Sequence, residues 1–188
     1  MKWMIASDLH GSLTYTKQLF ARMEQEAPQK LLLLGDLLYH GPRNDLPEGY
    51  DPKGVLALLN AHKEKLLCVR GNCDCEVDQM VLQFPILADY AILWLGERLI
   101  FATHGHVHNL ENLPPLEAGT VLLHGHTHIP AIQQQDGIWY LNPGSVSIPK
   151  AGSCHSYMTW EDGVFTLRDL ADGCALSAWD SRQPGAEA

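Results

Sequence analysis

Residues 2–36 read KWMIASDLHGSLTYTKQLFARMEQEAPQKLLLLGD, and this stretch predicts a strand, a helix and a second strand. Its first residues, 2–7, are apolar enough for a buried strand, and residues 30–34 form a second run of the same kind. Ser12 is a candidate N-cap for a helix that ends near Glu26. The inner face of that helix carries apolar residues at helical spacing, namely Tyr15, Leu19, Phe20 and Met23.

The next segment repeats this alternation. Asp51 is a candidate cap for a second helix that begins at Pro52, and residues 66–69 predict a third strand. Short, uniformly apolar strands that alternate with helices are typical of parallel crossover units, so the first half is predicted to be α/β. The second half predicts short strands with two hairpins, at residues 98–102, 120–123, 131–135, 138–141, 157–160 and 164–167.

Length and charge limit the classes of protein to consider. A chain of 188 residues with 46% hydrophobic residues predicts one compact domain, placed at residues 1–178, with a flexible tail at 179–188. The formal net charge is −9, which disfavours tracking along nucleic acid or docking to an anionic membrane. We therefore expect neither a stable nucleic-acid complex nor a membrane partner.

Cysteine usage and hydropathy point to the cytoplasm. Five cysteines are an odd number in a chain long enough to fold without disulfides, so a complete disulfide framework is not expected. The apolar run at residues 3–6 is too short for a signal peptide, and the later runs fall far below the roughly 18 residues of a membrane span. A reducing, cytoplasmic location is predicted.

Polar residues of the kind that bind metals follow five of the predicted strands. They are Asp8 and His10, Gly35-Asp36, Gly71-Asn72, His104-Gly105-His106, and Gly125-His126-Thr127-His128. In an open α/β sheet the carboxyl ends of the strands form the crevice where ligands bind, so these groups are expected to converge on one site.

The residue types of this set indicate a metal centre. Carboxylates, imidazoles and an amide carbonyl suit Mn, Fe, Zn or Co ions and require no thiolate. The seven candidate ligands exceed what one catalytic ion needs, whereas two ions sharing a carboxylate would use them all. Cys73 and Cys75 lack the second pair of a structural zinc site, and we interpret them as ordinary thiols.

These five segments, in this order and spacing, resemble the motif set of the calcineurin-like metallophosphoesterases. The loop at residues 40–44 and the segment 142–146 are similar to those of small bacterial phosphodiesterases in that superfamily. The resemblance covers about residues 1–170. It implies an α/β fold, a four-layer α/β/β/α sandwich of two mixed sheets flanked by helices, which agrees with the alternation described above.

The resemblance also implies roles for individual residues. One ion would be held by Asp8, His10, Asp36 and His128, and the other by Asp36, Asn72, His104 and His126. Asp36 is then the bridge, and the predicted catalytic residues are Asp36, Asn72 and His104. The residues themselves, apart from the resemblance, offer Arg43, Cys73 and His106 as candidate substrate contacts, and Arg43 fits an ordinary exposed loop arginine equally well. His124 is interpreted as a packing residue or a support for the site.

Position 73 departs from the family pattern. Many relatives carry histidine there, where it can protonate the leaving group, whereas this chain has Cys73. A thiol with an ordinary pKa of about 8.5 matches a general-acid role less well than imidazole does. His40, His106 and a metal-bound water stay open as alternative proton donors to the leaving group.

The leading hypothesis is a phosphodiesterase that uses two divalent ions and attacks a small phosphodiester in line with a hydroxide that bridges them. Mn²⁺ is the expected metal, with Zn²⁺, Fe²⁺, Co²⁺, Ni²⁺ and Mg²⁺ left open. The alternatives are a phosphomonoesterase that uses the same site and a non-catalytic interaction scaffold of the same fold. We also expect a homodimer or homotetramer.

Overall fold

A computed structural model describes residues 1–183, which form two packed β-sheets with helices on one side. The helices are α1 Leu13–Glu26, α2 Pro52–Ala61 and α3 Glu76–Val81. The strands are β1 Lys2–Ala6, β2 Lys30–Leu33, β3 Leu66–Cys68, β4 Tyr90–Leu95, β5 Arg98–Thr103, β6 Val121–Leu123, β7 Ala131–Gln135, β8 Ile138–Asn142, β9 Ser156–Glu161, β10 Val164–Asp169 and β11 Ala175–Asp180.

Both sheets are mixed, as the sequence predicts. The six-stranded sheet has the order β11-β10-β9-β1-β2-β3, in which β1, β2 and β3 are parallel. The five-stranded sheet has the order β4-β5-β6-β8-β7, in which β5, β6 and β8 are parallel. The two parallel groups supply the strand ends on which the candidate ligands lie.

The predicted helix starts are confirmed by their capping contacts. The Ser12 side chain accepts a hydrogen bond from the Tyr15 backbone N–H at the start of α1. Asp51 accepts from the Gly54 N–H at 3.0 Å, with Pro52 in the first position of α2. Each contact satisfies a backbone donor that the first helical turn leaves without a partner.

Apolar side chains form one layer on each side of the six-stranded sheet. Met4 and Leu33 face α1 and α2, where Leu19 and Leu59 pack against them. Alternate residues of the same strands point the other way, and Ile5 packs between the two sheets. The six-stranded sheet therefore has an apolar core on each of its two faces, and the two-sheet architecture is confirmed.

The outer face of the five-stranded sheet is covered by an irregular loop instead of a helix. This loop, residues 105–119, packs Leu110, Leu113 and Leu116 against Phe101 and Leu122. Its apolar residues are spaced by three but separated by Pro114 and Pro115, which cannot continue a helix.

Some elements were not recognised in the sequence. The helix α3 has only six residues and begins after Cys75, a weak helix cap. The predicted domain boundary at residue 178 falls inside β11, where Trp179 stacks on Trp139 with ring centroids 3.9 Å apart. Of the predicted tail, residues 184–188 lie outside the described residues.

Within residues 1–183, none of the three helices is long and apolar enough to cross a membrane.

Candidate metal centre

The loops that follow five strands meet at one edge of the sandwich. Hydrogen bonds join the first two loops, because the Asp8 N–H donates to the Gly35 carbonyl at 3.1 Å and the His10 N–H to the Asp36 carbonyl at 2.9 Å. The backbone N–H of His126 donates to Asp8 Oδ2 at 3.1 Å and so ties the loop after β6 to the loop after β1. Both sheets therefore contribute to one site.

The backbone is left-handed at five of the candidate ligands. The φ angles are 60° at Asp8, 46° at His10, 56° at Asp36, 63° at His126 and 62° at His128. Non-glycine residues rarely adopt this conformation, and it persists where surrounding contacts fix it. Here it turns five side chains from different loops towards a common point.

These loops approach each other so closely that two positions, Gly71 and Gly125, have no room for a side chain. A Cβ atom on Gly71 would lie 2.1 Å from Asp36 Oδ1, and one on Gly125 would lie 1.9 Å from Ser7 Oγ. Any side chain at either position would displace the neighbouring loop. The glycines of the Gly-Asn and Gly-His-Thr-His segments thus allow the contact between strands that the site needs.

The first group of candidate ligands comprises Asp8, His10, Asp36 and His128. His128 Nε2 lies 3.2 Å from both Asp8 Oδ1 and His10 Nε2. His10 Nε2 lies 3.7 Å from Asp8 Oδ1 and 3.7 Å from Asp36 Oδ2. All four side chains are buried.

The second group comprises Asp36, Asn72, His104 and His126. His104 Nε2 lies 3.4 Å from Asp36 Oδ2, 3.1 Å from Asn72 Oδ1 and 3.2 Å from His126 Nδ1. Asp36 Oδ2 is therefore near histidines of both groups. The structure brings all seven predicted ligands together and puts Asp36 between the two groups.

Backbone carbonyls fix the orientation of three imidazole rings. The Nδ1 atoms of His10, His104 and His128 donate to the carbonyl oxygens of Tyr39, Leu34 and Ile148, at 2.8, 2.7 and 2.6 Å respectively. A carbonyl oxygen only accepts, so each Nδ1 carries the proton. In the neutral ring Nε2 then presents a lone pair towards the centre of the site, as in metal-binding histidines.

This donor set fits divalent cations. Asp8 Oδ1 is buried and has no hydrogen-bond donor among residues 1–183, although His128 Nε2 is 3.2 Å away. Lone pairs that face one another over about 3 Å repel unless a proton or a metal ion lies among them. Ligand atoms of Asp8, His10 and His128 fall within 4.8 Å of each other, as do those of Asp8, Asp36 and His104.

Without an ion, protons would have to balance these charges. Burial opposes a charged His104, but Asp36 and Asp8 raise its pKa to about 9. Burial likewise opposes a charged His10, and the contact with Asp8 raises its pKa. Burial and the nearby His104 lower the pKa of His126 to about 4, so this ring is neutral at pH 7.

Supporting residues hold the loops from behind. The Asp74 carboxylate accepts hydrogen bonds from the backbone N–H groups of Asp36, Leu37 and Gly71 at 2.8, 2.9 and 2.7 Å. The hydroxyls of Ser145 and Ser147 both donate to the Asp8 carbonyl, at 3.0 and 2.9 Å. The segment 142–146 thus contacts the loop that carries Asp8.

A pocket of about 420 Å³ opens over the two groups. Arg43 and Cys73 line it, as does Lys150, whose backbone N–H donates to the His128 carbonyl at 3.2 Å. The sequence pattern does not single out Lys150, because this residue follows a loop and not the end of a strand. Its position just beyond the Asn-Pro-Gly-Ser turn is the one feature of the sequence that places it near the site.

The other sequence candidates lie around this centre. The Cys73 N–H donates to Asp36 Oδ1 at 2.8 Å, and burial together with the Asp36 charge raises the pKa of its thiol. His106 packs on His104 with ring centroids 5.4 Å apart. His124 is buried and packs against Tyr140 with the two rings tilted by 39°, so it is a packing residue next to the site.

Comparison with known proteins agrees with this geometry. Residues 1–162 match the family model of the calcineurin-like phosphoesterase superfamily domain. The phosphodiesterase YfcE of Escherichia coli strain K12 is 49% identical over 172 residues, which cover 92% of this chain and 94% of YfcE.

Solved structures show the same similarity. That of YfcE, a phosphoesterase from E. coli, superposes with a TM-score of 0.93 at 47% identity and covers 96% of this chain and 99% of YfcE. Vps29 from Entamoeba histolytica has a TM-score of 0.63 at 20% identity, covering 96% of this chain and 99% of Vps29, and this likeness shows the fold alone.

Proposed function

Because this chain belongs to the calcineurin-like phosphoesterase superfamily and is a metal-dependent phosphoesterase, we propose that it hydrolyses small phosphodiesters with two divalent ions. The single observation that carries the proposal is the position of Asp36, whose carboxylate lies between two groups of inward-facing ligand atoms. The name of its relative YfcE supports a diester as the substrate.

The two ions would share the Asp36 carboxylate. Asp8, His10 and His128 would complete one ligand set, and Asn72, His104 and His126 the other. When bound, such a pair of ions supplies a nucleophilic hydroxide at neutral pH and Lewis-acid contacts to the phosphoryl oxygens, which suits in-line displacement. Mn²⁺ is the metal we expect, because carboxylate, imidazole and amide oxygen all suit it.

The remaining chemistry belongs to side chains at the mouth of the site. Asn72 is exposed to the pocket, and its amide oxygen is a neutral ligand that adds no negative charge beside an incoming phosphodiester. Arg43 and Lys150 are exposed cations from two different loops that line the same pocket. They would bind the unesterified phosphoryl oxygens and offset the buried carboxylates.

The leaving group would receive little help from the protein at position 73. The raised pKa of the Cys73 thiol keeps it protonated, and a thiol of high pKa is a weak proton donor. Diesters whose leaving group is already a stable anion are therefore the substrates that this site suits best.

Two alternatives use the same fold. A phosphomonoesterase would bind a dianion in the same pocket, and a scaffold would need none of the seven ligands. The complete ligand set and the rigidly held imidazoles favour catalysis over a scaffold.

We also propose that the protein works in the cytoplasm, which is a reducing compartment. All five cysteines are free thiols within the described residues, and this supports the proposal. Assembly as a homodimer or homotetramer stays a prediction, and sedimentation velocity of the purified protein would test it.

The decisive experiment removes and restores metal. The chelated protein should lose activity on bis(p-nitrophenyl) phosphate and regain it with Mn²⁺, whereas Asp36→Asn should regain little. Asp136→Asn is the matched control, because Asp136 is an exposed acid in the β7–β8 turn with the same left-handed backbone as Asp36. Activity that survives complete metal removal, or fails to return with any of the six expected metals, contradicts the proposal.

A further inference from the structure

A second cavity, of about 470 Å³, adjoins the metal centre. It lies between the loop 105–119 and the outer face of β7 and β8. His126 and Thr127 line both this cavity and the pocket over the metal ligands, so the two spaces share a wall. The two spaces are thus neighbours on either side of His126 and Thr127.

The walls of the second cavity differ in chemistry from those of the pocket over the metal ligands. Apolar atoms make up most of its exposed lining, and Leu110 of the loop, Ile129 and Pro130 before β7 and Ala131 of β7 contribute to it. Ile129 is 43% exposed, and contact of this apolar side chain with water is unfavourable unless a ligand covers it. Among residues 1–183, Glu111 is the one charged residue that lines the cavity, and its carboxylate repels anions.

Hydrogen bonds within the protein hold the walls of the cavity in place. The Asn109 side chain donates to the Gly105 carbonyl at 3.0 Å and accepts from the N–H groups of Glu111 and Asn112, both at 2.9 Å. On the opposite wall, Tyr140 is fixed by a hydrogen bond from Asn142 at 2.9 Å. Preformed walls reduce the entropy that a ligand loses on binding.

We propose that this cavity binds an apolar or aromatic ester group of the phosphodiester, an inference that rests on the proposed function. A diester carries two organic groups and one negative charge. Arg43 and Lys150 surround the space for the charged phosphoryl group, whereas the cavity beyond His126 offers apolar contact and a repelling carboxylate. The cavity thus selects diesters with one bulky uncharged substituent.

Two phosphinates test this without being hydrolysed, because both of their organic groups are joined to phosphorus by P–C bonds. Dimethylphosphinate and benzyl(methyl)phosphinate each carry two organic groups and one negative charge, as a diester does, and only the second has an aromatic group for the cavity. Isothermal titration of the Mn²⁺-loaded protein should show benzyl(methyl)phosphinate binding at least about tenfold more tightly, since burying several carbon atoms yields a gain of that order.

Substitutions in β7 and just before it test whether the preference for the benzyl compound arises in the second cavity. Ala131 and Gln135 lie on the same face of β7, but only Ala131 lines the cavity. Ala131→Leu should reduce the ratio of the two affinities towards one, whereas the control Gln135→Leu should keep the wild-type ratio. Ile129→Ser, which removes an apolar wall, should lower the ratio as well, with metal content measured in each variant.

The outcomes separate this inference from the proposed function. Equal binding of the two phosphinates by the wild type, or an unchanged ratio in Ala131→Leu and Ile129→Ser, overturns the cavity assignment and leaves the phosphodiesterase in place. Failure of both phosphinates to bind the metal-loaded protein overturns the phosphodiester site itself, and the cavity assignment with it.

Discussion

The backbone N–H of Asp36 donates to Oδ2 of Asp74 at 2.8 Å, so a buried carboxylate that is not itself a candidate ligand holds the residue between the two candidate ligand groups. The same oxygen accepts from the Gly71 N–H at 2.7 Å. Asp74 thus joins the loop after β2 to the loop after β3 and sets the distance between Asp36 and Asn72.

Replacing Asp74 should disturb both ligand groups together. In Asp74→Asn one acceptor oxygen becomes an NH₂ group that faces backbone donors, which should lower the free energy of unfolding by about 1–3 kcal/mol. Urea denaturation and metal analysis would measure the two effects, with Asp136→Asn as the control. Full metal content in a destabilised Asp74→Asn protein would show that Asp74 supports the fold alone.

The two ligand groups should lose metal separately. His10→Ala and His128→Ala should each remove about one ion per chain and leave the second group filled, whereas His126→Ala should affect the second group. Asp36→Asn should weaken both, because each ion needs its negative charge. Metal stoichiometry after dialysis measures this, and spectra of the Co²⁺-substituted variants would show which ion is lost. Loss of both ions in His126→Ala contradicts the separate assignment.

Metal affinity should rise with pH because protons compete for His104. In the metal-free protein the pKa of His104 is raised from the ordinary 6.5 to about 9, mainly by Asp36 and Asp8 acting against burial. A raised pKa stabilises the metal-free fold below about pH 6.5, and that contribution is lost as the pH rises towards 9.

A metal ion requires the neutral ring, so binding should release a proton from His104 and strengthen by up to about tenfold per pH unit across this window. His126, with a pKa of about 4, contributes no proton there. Titration calorimetry at pH 6.5, 7.5 and 8.5, in buffers of different ionisation enthalpy, measures the metal affinity and the number of protons released on binding. An affinity independent of pH would contradict the raised pKa.

Arg43 and Lys150 should act on substrate binding. A hydrogen bond to a charged group contributes about 1.5–3 kcal/mol, so Arg43→Ala and Lys150→Ala should each raise KM for bis(p-nitrophenyl) phosphate by roughly tenfold or more. Lys53→Ala, which removes an exposed cation from α2, serves as the control. If Lys53→Ala has the same effect, the contribution comes from overall charge instead of contact in the pocket.

The cluster of seven candidate ligands could be predicted from the sequence because each of them lies in a loop that follows a strand. An apolar run followed by Asp, His or Asn is visible in one dimension, and the parallel strand order carries those ends to one edge. Lys150 and Ala131 carry no such signal, since their positions depend on how the loops pack against the second sheet.

The strands that escaped prediction lie at the edges of the sheets. Along β4, Tyr90, Ile92 and Trp94 are exposed although they are apolar, so this edge strand lacks the alternation of apolar and polar residues that marks a half-buried strand. The strand β11 has few buried residues, and Trp179 alone packs between the sheets. Such strands are fixed by pairing with a neighbour, which composition alone does not encode.

The departure at Cys73 predicts a strong dependence of rate on the leaving group. The thiol lies beside Asn72, whose amide Nδ2 is 3.2 Å from Sγ, and its raised pKa makes it a poor acid. Cys73→Ser should therefore change turnover little. Cys73→His supplies an imidazole at the same loop position, and general acid catalysis typically contributes about 10²–10⁴-fold.

The gain in Cys73→His should be confined to diesters of weakly acidic alcohols, because nitrophenolate leaves without a proton. A plot of log kcat against leaving-group pKa should thus be steep for the wild type and Cys73→Ser and flatter for Cys73→His. Metal content is measured alongside, since the Cys73 N–H also contacts Asp36. A large loss of activity in Cys73→Ser at full metal occupancy would show that the thiol takes part in the reaction.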